Sequence, residues 1–126
     1  MFEKITAPDA HSLNSGYSQA IAVTDAKRTV YVSGQIGLRP DGSLPDDFSG
    51  QARQVWLNIE AQLKAAGMGL DNIVHHTTFL SDRKYRAESS EIRKEVFGDL
   101  EPALTVIIAG IFDEAWLLEI QAIAAE

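Results

Sequence analysis

What most restricts the fold of this chain is an alternation between two periodicities: short β-branched runs separated by segments whose apolar residues recur every three or four positions. Between about Ser49 and Ala66, the residues Ala52, Val55, Trp56, Ile59, Leu63 and Ala66 keep helical spacing, with Ser49 or Asp47 placed to cap the start and Gly67 just past the end. A second helical segment runs from Ser81-Asp82 to Gly98, with a narrow apolar stripe of Tyr85, Ile92, Val96 and Phe97 and an otherwise charged face. Around these segments lie runs too short and too β-branched for helices: Asn72 to Leu80, Ala103 to Ala109 and Trp116 to Ala124. Upstream, Ser18–Val23 and Thr29–Ser33 flank the polar turn Asp25-Ala26-Lys27-Arg28 and read as a hairpin. Leu38 to Pro45 reads as a loop, because its Pro, Asp and Gly each favour turn geometry.

The resulting order, strand-strand-helix-strand-helix-strand-strand, predicts an α+β fold with a mixed sheet and both helices on one face. Much of the opposite sheet face is apolar, and the chain has nothing left to place over it, so association with further copies is expected. At 126 residues and 45% hydrophobic, with no linker-like stretch, residues 1–126 read as one domain.

Composition narrows the function. With no Cys, thiolate nucleophiles, disulfides and Cys-bearing metal sites are excluded, which fits a reducing compartment and predicts a cytoplasmic location. The start Met1-Phe2-Glu3-Lys4 has no basic segment leading into an apolar run, and no run reaches the roughly 18 apolar residues of a bilayer helix. Neither secretion nor a membrane partner is expected. A net charge of -7 is the wrong sign for a surface that must neutralise phosphates, so nucleic acid is not expected as a partner either.

Glu119 is the one carboxylate inside an apolar strand, and alternation places it with Gln121 on one face, opposite Leu118, Ile120 and Ala122. Two readings stay open: a pocket carboxylate serving as general acid/base or water-orienting group, or a solvated residue at a sheet edge. Tyr17, in Asn14-Ser15-Gly16-Tyr17-Ser18-Gln19, offers a phenol to a ligand or packs its ring in a turn. Ser33-Gly34-Gln35 ends a strand in a way that can expose backbone N–H groups to an anion, or simply enters a loop. His75 and His76 are adjacent in a strand and point to opposite faces, and His11 has no acidic ligand at characteristic spacing, so no metal is expected. The glycine patterns that cradle phosphates are absent, and no cofactor is indicated.

Taken in order, these segments resemble the RidA family, also called YjgF or L-PSP. The resemblance rests on Gly16-Tyr17-Ser18-Gln19-Ala20, Val30-Tyr31-Val32-Ser33-Gly34-Gln35-Ile36-Gly37, Gln54 through Gly67 into Leu70-Asp71-Asn72-Ile73-Val74, and Thr77-Thr78-Phe79-Leu80-Ser81-Asp82. Val96-Phe97-Gly98, Pro102-Ala103 and Glu119-Ile120-Gln121-Ala122-Ile123-Ala124 complete it. It implies a chorismate-mutase-like fold, a homotrimer whose sheets enclose a barrel, and ligand clefts at the subunit interfaces. It also implies cofactor-free hydrolysis of imine or enamine intermediates to a keto acid and ammonia. Carried over, Tyr17 and Ser33 line the cleft, Glu119 positions water, and Gly34, Ser90, Leu104 and Thr105 lie where ligand contacts are made. Leu104, in Pro102-Ala103-Leu104-Thr105, stands where the family carries the arginine that clamps the substrate carboxylate. Leucine has no donor, so the expected pocket has an apolar wall suited to a neutral or less acidic ligand. Arg39, Arg53, Arg83, Arg86 and Arg93 are the arginines that could substitute, and spacing selects none of them.

Two functions follow: a RidA-type hydrolase acting on a small imine, enamine or amide-like metabolite that lacks the usual carboxylate, or a non-catalytic trimeric protein holding a metabolite in the same cleft. The ribonuclease label carried by some relatives is disfavoured by the acidic balance.

Overall fold

Asp47 starts the first helix: its carboxylate accepts from the Gly50 N–H at 2.8 Å, satisfying one of the donors that a helix start leaves open. The helix α1 (Phe48–Ala65) then buries Phe48, Gln51, Ala52, Val55, Trp56, Ile59 and Leu63, one continuous stripe at three- and four-residue spacing. Gly67 follows at φ 76, a left-handed conformation that turns the chain away from the helix. The computed structural model that shows this describes residues 1–12 and 16–126, so Asn14 and Ser15 of the tyrosine motif lie outside the described residues.

Six strands and a second helix complete the described fold: β1 (Phe2–Ile5), β2 (Ala20–Val23), β3 (Thr29–Gln35), β4 (Ile73–Leu80), α2 (Arg86–Phe97), β5 (Ala103–Ile108) and β6 (Leu118–Ala125). Four strands form a mixed sheet in the order β3-β6-β4-β5, with β4 and β5 parallel and the other pairs antiparallel. The α+β reading with both helices against one sheet face holds. Val32 from β3, Leu80 from β4 and Leu118, Ile120, Ala122 and Ala124 from β6 meet the α1 stripe and Ile92 and Phe97 of α2 in one apolar core. Burial of that stripe and the sheet's inward residues supplies most of the stabilisation.

The hairpin expected from Ser18–Val23 and Thr29–Ser33 is not formed. The turn between them exists, with Asp25 at φ 57, but its strands enter different sheets: β2 pairs with β1 and β3 pairs with β6. The eight-residue β6 gives β3 a longer antiparallel partner than the four-residue β2 could. The N–H groups of Lys27 and Arg28 accordingly donate to the Glu126 carbonyl. Strand β1 was not expected at all, since Phe2-Glu3-Lys4-Ile5 carries little β-branched signal by itself.

Buried Gln51 fixes the entry to β6. Its amide nitrogen donates to the Pro45 and Ala115 carbonyls, both at 3.1 Å, and its amide oxygen accepts from the Leu117 N–H at 2.9 Å. These bonds tie the start of α1 to the two loops that flank the sheet, and so set where Glu119 begins its strand.

Candidate functional site

Glu119 lies on the interior strand β6, opposite Phe79 of β4, so the sheet-edge reading of this residue does not apply. It shares the face away from the helices with Gln121, His75 and Thr77, while His76, Thr78 and Leu80 point into the core. The β3–β6 register shifts between Val32 and Gln35, at Ser33-Gly34. A bulge of this kind re-aims side chains beside a site. Its effect here is to lay Gly34 against the Glu119 carboxylate, where a Cβ would come within 2.0 Å of Glu119 Oε2. Glu119 also lines a small cavity of about 170 Å3 with Phe79, Ile111 and Phe112. Ser33 opens instead onto a shallow groove of about 210 Å3 with Tyr31, His75 and Gln121.

Tyr17 is placed by its neighbour. The Ser18 N–H donates to the Pro102 carbonyl and the Ser18 hydroxyl to the Glu101 carbonyl, and Ser18 bridges to Ala103, so the segment after Gly16 is held against the start of β5. Tyr17 thereby shares with Leu104 and Ser90 a cavity of about 560 Å3 between α2 and β5. Leu104 and Val106 project from β5 on the helix side, as register partners of the core-facing His76 and Thr78. Thr105, the next residue along, faces the other way and is exposed.

One protomer therefore groups the sequence-derived residues in separate places. Tyr17, Ser90 and Leu104 lie between α2 and β5, Gly34 and Glu119 come together on the open sheet face, and Ser33 and Thr105 are exposed on that same face. Among the described residues no group of three His, Asp or Glu side chains could hold a metal ion.

The lining of the large cavity is not only apolar. Opposite Leu104 and Val106, α2 contributes Arg86, Arg93 and Lys94. Arg93 is half-buried, its Nη2 lies 3.3 Å from Ser90 Oγ, and burial pushes its guanidinium below the usual value while Tyr17 acts in the opposite direction. The apolar wall expected from Leu104 is thus one side of a cavity whose other side is cationic. The signal was in the sequence, as Arg86, Ser90 and Arg93 at i, i+4 and i+7 form one helical stripe, but the charged residues on the rest of α2 hid it.

His76 sits behind this cavity. It is fully buried, stacked on Phe97 at 5.4 Å and edge-on to Trp56 at 5.0 Å. Burial first, then the charges of Arg93 and His75, hold its imidazole at a pKa of about 3, so it is neutral.

The surface gives no sign of a bilayer segment: among the described residues no helix is long and apolar enough to cross a membrane. A family model described as Endoribonuclease L-PSP matches residues 6–126. A RutC family protein of Pyrococcus horikoshii is 34% identical over 98% of both chains. The 2-iminobutanoate/2-iminopropanoate deaminase of rat is 34% identical over 97% of this chain and 88% of its own. In fold, a Rid-family protein of unknown function from Yersinia pestis superposes with a TM-score of 0.85 over 99% of this chain and 98% of its own, at 21% identity. With the family model covering nearly the whole chain and curated relatives matching end to end, this protein belongs to the RidA family, also known as YjgF or L-PSP.

Proposed function

We propose that this protein is a cofactor-free hydrolase that deaminates a small imine or enamine, working as a homotrimer with clefts between subunits. The observation that carries the reading is the seating of the Glu119 carboxylate against Gly34 on the open sheet face. An interior strand fixes the backbone beneath it, and Gly34, with no Cβ, leaves the space the carboxylate occupies. The name of the rat relative, a 2-imino acid deaminase, supports the same chemistry.

In the reaction an enamine first tautomerises to its imine. Glu119 orients a water and takes its proton as the oxygen bonds to the imine carbon and the nitrogen is protonated. The carbinolamine formed then gives up its hydroxyl proton to the nitrogen through Glu119 as the C=O bond forms and the C–N bond breaks. Imine and water thus give ketone and ammonia, and no electrons are gained or lost. Tyr17 and Ser33 hold polar atoms of the substrate. Because Glu119 and Tyr17 occupy different cavities in one protomer, a complete cleft draws them from neighbouring subunits. The exposed apolar residues Tyr31 on β3 and Ile107 on β5 offer the surface for that association.

Ammonia release from imines generated in place tests the reading, with wild type compared to Glu119→Gln. We expect turnover that falls by about two orders of magnitude or more in the variant, in the range of a lost general base. Full turnover in Glu119→Gln would remove the water-orienting role. Metabolite binding without any ammonia release would favour the non-catalytic reading. A monomer at micromolar concentration in sedimentation would end the shared cleft.

A further inference from the structure

In a chain of net charge -7, three of eleven Lys and Arg residues line one cavity, accompanied there by a single carboxylate, Glu91. Among the described residues neither Arg86 nor Lys94 forms an ion pair, whereas Lys4, Arg28 and Arg53 are each paired with a glutamate. The cationic side of the cavity faces the apolar side formed by Leu104 and Val106. Its volume of about 560 Å3 falls within the roughly 300–1,000 Å3 typical of small-molecule sites, more than a three-carbon acid needs.

We propose that this cavity is a carboxylate site in which Arg93, assisted by Arg86 and Lys94, holds the acidic group of the ligand from α2, while Leu104 and Val106 take an apolar chain of four carbons or more. The clamp lost from β5 at Leu104 is replaced from the opposite wall, and the ligand is a longer, branched or apolar acid. Half-burial favours Arg93 as the principal contact, because a guanidinium partly stripped of water gains most from an anion, and its planar fork meets both oxygens of a carboxylate. The inference deepens the reading above and rests on it only in taking this ligand for the substrate.

Calorimetric titration of the intact protein with 4-methyl-2-oxopentanoate, pyruvate, inorganic phosphate and the neutral 4-methyl-2-pentanone tests it without requiring turnover. The branched keto acid should bind tightest, pyruvate and phosphate weakly, and the neutral ketone not measurably. Raising the salt concentration should weaken the keto acid. Arg93→Ala should weaken the keto acid about tenfold or more, the cost of a charge-assisted contact. Should that variant fail to fold by circular dichroism, Arg93→Lys and the surface pair Arg86→Ala/Lys94→Ala should each weaken it severalfold. Equal binding of ketone and keto acid would overturn the proposal, as would a stronger preference for phosphate or unchanged affinity in the folded variants. Lost binding with ammonia release intact removes the clamp alone; binding intact with no ammonia release removes the hydrolase reading alone.

Discussion

Gly34 and Glu119 are so closely apposed that a Cβ on residue 34 would lie 2.0 Å from Glu119 Oε2 and 3.0 Å from its Cγ. Rotating the carboxylate alone cannot clear such a contact, so Gly34→Ala should displace the whole Glu119 side chain. We expect a folded protein with nearly unchanged thermal stability and ammonia release reduced at least tenfold. A Gly34→Ala protein with wild-type turnover would show that the seating of Glu119 does not matter to the chemistry.

Leu104 gives a three-carbon imino acid no donor at the position where β5 passes the cavity. Freshly generated 2-aminoacrylate should therefore release ammonia at close to the background rate with wild type and measurably faster with Leu104→Arg. Rates for wild type equal to those of the rat relative would contradict this role for Leu104.

Gln51 bonds three backbone groups from the interior, the carbonyls of Pro45 and Ala115 and the Leu117 N–H. Gln51→Met keeps the volume but leaves these groups without their partner, at a cost of about 2–4 kcal/mol in urea unfolding. Hydrogen exchange at the Leu117 amide should accelerate more than at Ile59. Uniform acceleration across both would point to a general loss of packing instead.

His76 makes stability depend on pH with a definite sign. Its pKa is lowered from 6.5 to about 3 in the fold, so the unfolded chain binds the proton more readily. The contribution is fully present above pH 6.5 and is lost as pH falls toward 3. Among the described residues neither ring nitrogen has a hydrogen-bond partner. His76→Leu should thus be as stable as wild type within about 1 kcal/mol at pH 7, exchanging an unsatisfied polar ring for lost stacking. Between pH 6.5 and 4 its unfolding free energy should fall less steeply. Parallel curves for the two proteins would assign the acid sensitivity to other groups.

The strongest elements were legible because helix and strand periods are set by covalent geometry. The stripe from Ala52 to Leu63 could lie on one face only as a helix, and it did. The alternation of Glu119 and Gln121 against Leu118, Ile120 and Ala122, and the opposed directions of His75 and His76, came from the two-residue period of a strand. Collinear motifs likewise carried the family.

Choice of partner is a different matter, since it depends on competition between distant segments. That competition sent β3 to β6 and β2 to β1 in place of the expected hairpin, and put Glu119 on an interior strand. It also chose His76 over His75 for the core, because only the helix side of the sheet offers Trp56 and Phe97. The replacement of an apolar wall by a half-cationic cavity follows the same rule. Leu104 and Arg93 are eleven positions apart on different elements, and only the packing of α2 beside β5 brings the donor missing at one into the cavity lined by the other.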